Sequence, residues 1–68
     1  MKRDQLFAAL RRWCRKNGVD FTVDTVGGKG SHVKVRVGGK ATIVKGGELS
    51  PVYVQVVLKQ LGLPKDLV

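Results

Sequence analysis

His32 is the one histidine in this chain of 68 residues, and the residues beside it carry its clearest chemical pattern. In His32-Val33-Lys34-Val35-Arg36-Val37 apolar and polar side chains alternate. An extended strand sends successive side chains to opposite faces, so burying Val33, Val35 and Val37 puts His32, Lys34 and Arg36 together in solvent. Gly38-Gly39 comes next, then Lys40-Ala41-Thr42-Ile43-Val44-Lys45. A two-residue turn at the glycines pairs Val37 with Lys40, and counting back along both strands sets Lys45 opposite His32. The predicted cluster is His32, Lys34, Arg36 and Lys45.

Such a set suits phosphodiester chemistry. An imidazole passes a proton to or from a ribose hydroxyl or a leaving oxygen, while cations stabilise charge on the phosphoryl oxygens. With no second histidine, the other proton-transfer partner must be a lysine, a water or the same imidazole in a later step. Taken alone, an exposed histidine at a strand start is more often an ordinary surface residue than a catalyst. Ser31 reads equally as a phosphate-orienting hydroxyl and as the end of a turn. Gly27-Gly28-Lys29-Gly30 reads first as a connection. Its backbone amides could also cradle phosphate, although it lacks the spacing and the terminal Lys-Ser/Thr pair of a Walker loop.

The composition narrows the classes. Thirteen Lys and Arg against five Asp and Glu give a net charge of +8, a strong positive potential on so small a surface and a natural match for nucleic acid. A single cysteine, Cys14, makes no internal disulfide, and no cluster of cysteine, histidine and acid suggests a metal or other cofactor. No apolar run approaches the roughly 20 residues that span a bilayer, and Met1-Lys2-Arg3-Asp4-Gln5 opens no signal-peptide core, so the expected location is the cytoplasm.

The elements that must position the cluster follow from periodicity. Leu6, Phe7, Leu10, Trp13 and Cys14 recur at helical spacing while Arg11, Arg12, Arg15 and Lys16 crowd the other side, which predicts an amphipathic helix over 3–17, stopped at Asn17-Gly18. Those cations are either the solvated side of the helix or contacts for RNA phosphates. Val19, Phe21 and Val23 alternate with polar residues as in a half-buried strand over 19–24, and 33–37 and 41–44 form the hairpin. Ser50-Pro51 then reads as an N-cap and first turn of a helix over 51–61, ended by Gly62 and Pro64, even though Val52, Val54, Val56 and Val57 favour a strand by propensity. Tyr53, Val52 and Val56 exceed what one stripe can bury, so some of them are expected on the surface for a partner. The expected whole is one α+β domain over 1–68, in the order α-β-β-β-α, with a three-stranded antiparallel sheet covered on one face by two helices.

Gly30-Ser31-His32 opening a strand, the short hairpin, Glu48-Leu49-Ser50-Pro51 and the ending Leu58-Lys59-Gln60-Leu61-Gly62-Leu63 together resemble the HicA toxins of HicA–HicB systems. The resemblance covers most of the chain in order and length. It implies a double-stranded-RNA-binding-like fold, cleavage of messenger RNA without a metal, and neutralisation by a HicB-type antitoxin. It also implies that His32 is catalytic, with Gly30 and Ser31 completing the motif; by the reading of the residues themselves, Lys29, Gly30, Ser31, Lys34, Arg36 and Lys45 bind the RNA phosphate. The chain departs from the family at Val33, where many members carry a second histidine, and at Lys45-Gly46-Gly47, where many carry another. A different class of reading, a non-catalytic RNA-binding module, uses the same fold to read A-form shape and 2′-hydroxyls.

Overall fold

The computed structural model of the protein describes residues 1–24 and 32–68. Its elements run α1 (Arg3–Asn17), β1 (Phe21–Asp24), β2 (Val33–Val37), β3 (Lys40–Val44), α2 (Pro51–Gln60) and a short 3₁₀ turn (Lys65–Leu67). This is the expected α-β-β-β-α order, and the three strands form an antiparallel sheet in sequence order.

Helix α1 exists because Leu6, Leu10 and Cys14 line up on one side of it, where all three are buried. The side-chain oxygen of Gln5 accepts from the backbone N–H of Lys2 at 2.8 Å and satisfies a donor that the first turn leaves open. The helix stops at Gly18, whose φ of 67° lies in the left-handed region. The N–H of Val19 then donates to the carbonyl of Cys14 at 2.9 Å. Val19 and Asp20 belong to this exit from the helix, so the first strand begins at Phe21 and not at Val19.

The hairpin has the anticipated register: Val37 pairs with Lys40, Val35 with Thr42 and Val33 with Val44. Of the two turn glycines only Gly38 takes a positive φ, 58°, as a type II′ turn requires. Its N–H donates to the carbonyl of Asp20 at 2.9 Å, tying the turn to the start of β1.

Helix α2 overrides the strand propensity of its valines. Ser50 accepts from the N–H of Tyr53 at 3.1 Å, Pro51 occupies the first turn, and Val54, Val57 and Leu58 are buried. Gly62, at φ 70°, ends it, and the Leu63 N–H returns to the Leu58 carbonyl at 2.8 Å. One core joins Leu6, Leu10 and Cys14 of α1, Val35, Val37 and Val44 of the sheet, Leu49, and Val54, Val57, Leu58 and Leu61 from α2 and its end. Both helices therefore cover the valine face of the sheet, and the other face is left to solvent.

Candidate active site

The uncovered face is built by strand alternation and register. Val33, Val35 and Val37 are buried against the helices, while His32 and Arg36 are exposed and Lys34 is half-buried. β1 pairs with β2 so that Thr22 lies beside Arg36 and Asp24 beside Lys34. On the other side, Ala41 pairs with Arg36 and Ile43 with Lys34. The face is thus two rows across three strands, Thr22–Arg36–Ala41 and Asp24–Lys34–Ile43, with His32 one residue beyond the last β2 pair.

The structure turns Lys34 and Arg36 to one face as the alternation predicts, and His32 stands exposed immediately before the strand. Lys29, Gly30 and Ser31 lie outside the described residues. Lys45 follows Val44, the partner of Val33, and lies just past the last pair of the hairpin. Its side chain turns elsewhere. The ammonium sits 5.0 Å above the ring centre of Tyr53 on α2, and its backbone N–H donates to the Tyr53 hydroxyl at 3.1 Å. A cation held over a ring gains from the negative face of the π system, and that gain competes with the outward position.

Three neighbours of the cluster were not anticipated from the sequence: Thr22, Asp24 and Ile43. Alternation along β1 and β3 places each of them outward, but putting Asp24 beside Lys34 needs the β1–β2 register, which the long segment between those strands conceals. Asp24 sets a carboxylate next to a cation, as cross-strand opposite charges favour, and among the described residues no ion pair joins the two. Ile43 is 46% exposed and gives the face an apolar spot of the kind a nucleobase or an apolar side chain can cover.

Chemically the face offers one proton-transfer group and two cations along one strand, open to solvent. Nothing from either helix covers it. Among the described residues, no group of three or more His, Cys, Asp or Glu is gathered as a metal site would need, and no helix is long and apolar enough to cross a membrane. The surface valines fall as anticipated on α2: Val52 is 75% exposed and Val56 45%, while Tyr53 is half-buried under Lys45.

No family model and no solved structure matches the chain. Among curated proteins, the probable mRNA interferase HicA of Pseudomonas fluorescens (strain Pf0-1) is 37% identical over 60 residues, which covers 84% of this chain and 93% of that protein. A relative of that identity, aligned over 84% of this chain and 93% of its own length, shows the family: the chain belongs to the HicA family.

Proposed function

We propose that this chain is the toxin of a type II toxin–antitoxin pair, a cytoplasmic endoribonuclease that cleaves messenger RNA through His32 without a metal ion and is neutralised by a HicB-type antitoxin. One observation carries the reading: the chain's single histidine stands exposed immediately before β2, the strand that turns Lys34 and Arg36 to the sheet face the helices leave open.

In this reading the imidazole of His32 takes the proton of a ribose 2′-hydroxyl as it attacks the adjacent phosphorus, or returns a proton to the departing 5′-oxygen. Lys34 and Arg36 face the same side and neutralise the charge that builds on the phosphoryl oxygens. Arg36 suits a planar, two-point grip on phosphate, whereas Lys34 acts as a point charge. Lys29, Gly30 and Ser31 precede the histidine directly and would hold the neighbouring backbone. Lys45 would join them only by leaving the Tyr53 ring. The antitoxin would bind over the His32 face and keep RNA out.

The test is induced expression of the wild-type chain and of His32→Ala at equal soluble levels, with growth and RNA integrity followed in the same cultures. Arrest and RNA loss with the wild type alone support the reading. RNA binding without arrest or RNA loss in either culture would replace it with a non-catalytic RNA-binding module. Purified wild-type protein should cut RNA equally with and without EDTA, and loss of cutting in EDTA would remove the metal-free part.

A further inference from the structure

The cations of α1 are not used by the open sheet face. At about 3.6 residues per turn, Ala8, Arg12 and Arg15 fall on the side of α1 opposite the buried stripe Leu6, Leu10 and Cys14, and Arg11 lies at its flank. The two surfaces therefore point away from each other: His32, Lys34 and Arg36 open from one side of the sheet, and the arginines open from the far side of the helix layer.

Three features of this patch point to a ligand. Arg11 and Arg15 are four residues apart, as are Arg12 and Lys16, so like charges sit at the spacing where they repel on a helix. No ion pair within the described residues offsets them; the pair recorded there joins the N-terminal amine of Met1 to Glu48. Second, Arg11, Arg12 and Arg15 line, with Ala8, a shallow groove of about 190 Å³. Third, Arg11 is fixed at the groove's edge, its guanidinium 5.6 Å from the centre of the Phe21 ring, which is itself packed edge-on against Phe7.

We propose that this arginine groove binds the phosphate backbone of RNA as a second site, separate from the His32 face. Guanidinium groups grip phosphate through paired N–H donors, and a bound backbone turns the repulsion along α1 into attraction. Exposed acids flank this edge of the sheet, Asp20 just before β1 and Asp24 at its end, and disfavour a strand that simply wraps around it. The groove thus holds a different segment of RNA from the one at His32, and the chain grips its substrate at two places. This rests on the proposed RNA substrate but not on cleavage.

The experiment uses the full chain carrying His32→Ala, so that RNA survives, with and without R12Q and R15Q. Binding of a fluorescent single-stranded RNA of mixed sequence is followed from 50 to 200 mM salt. Each phosphate contact contributes about 0.7 to the slope of log affinity against log salt, so the double change should lower the slope by about 1.4 and weaken binding several-fold at the low-salt end. Thermal melting should stay the same or rise, since repulsion is removed. An unchanged slope overturns the proposal. So does an unchanged RNA slope with weakened binding of poly-glutamate, which would assign the groove to an acidic protein. The two readings fail separately: if the slope falls but wild-type protein never cuts RNA, the arginine groove stands and the nuclease does not; if RNA is cut and the slope is unchanged, the reverse holds.

Discussion

His32 is exposed and, among the described residues, makes no hydrogen bond or ion pair that would give it a structural duty. It lies outside the core and beyond the last paired residue of β2, so His32→Ala should change stability by no more than about 0.5 kcal/mol while removing about 10²–10⁴-fold of RNA cleavage. A thermal melt beside a cleavage assay checks both at once; a large loss of stability would give the histidine a structural role instead. Cys14 is the contrasting residue. It is buried at 1% exposure, and removal from water pushes its thiol pKa up. The folded chain thus holds the thiol proton more tightly than the unfolded chain does. Stability is unaffected below the unfolded thiol's ordinary pKa of roughly 8.5 and falls as the pH rises from there through the higher folded value. The measurement is denaturant unfolding between pH 7 and 10 for the wild type and Cys14→Ala, and the wild type should lose the more over that range. The same burial predicts that a thiol reagent labels Cys14 only after unfolding. Both residues were legible in the sequence, Cys14 from its place in the apolar stripe of α1 and His32 from alternation. Lys45 was half legible: counting strand pairs located its backbone, but nothing in the spacing announced that Tyr53, eight residues on, would take its ammonium.

At the scale of elements, boundaries were readable wherever a capping or turn residue marks them. Asn17-Gly18 ends α1, Gly38-Gly39 turns the hairpin, and Ser50-Pro51 opens α2, each at the expected place. The last of these decided between helix and strand for a valine-rich segment, so its weight is measurable. Ser50→Ala removes the oxygen that accepts from the Tyr53 N–H, leaves that donor to water, and should cost about 1 kcal/mol with little loss of helix once folded. Equal denaturation midpoints for this variant and the wild type would mean that burial of Val54, Val57 and Leu58 alone holds the segment helical. Two features had no such marker. The 3₁₀ turn at Lys65–Leu67 is too short to show a period, yet it packs Leu67 against the core. The N-terminal tie was equally hidden: Lys2 bridges to Glu48, and the Met1 amine meets the Glu48 carboxylate at 2.6 Å across 47 positions of sequence. Long-range pairings of single residues leave no periodic trace.

The whole molecule carries its +8 charge on a body about 31 × 23 × 17 Å, and that charge acts on folding and on binding with opposite sign. Folding gathers the cations: the arginine groove collects three and the sheet face two, with no ion pair to an acid at either among the described residues. Such self-repulsion destabilises the compact state and is screened as salt rises, with a screening length near 10 Å at about 0.1 M, well inside the span of the molecule. The attraction to an RNA backbone is weakened by the same salt, because each neutralised phosphate releases a counterion that added salt makes less favourable to release. The melting temperature should therefore climb between 10 and 200 mM monovalent salt while RNA affinity falls over the same series. Only the sum of charges is needed for the first effect, and the sequence alone supplies it. The second depends on where the charges stand, which the fold decides by turning Arg36 and Lys34 to one side and Arg12 and Arg15 to the other. A melting temperature that drops with salt would mean that favourable charge pairs outweigh the repulsion. Arg11, Arg12 and Arg15 would then need another explanation than a polyanion.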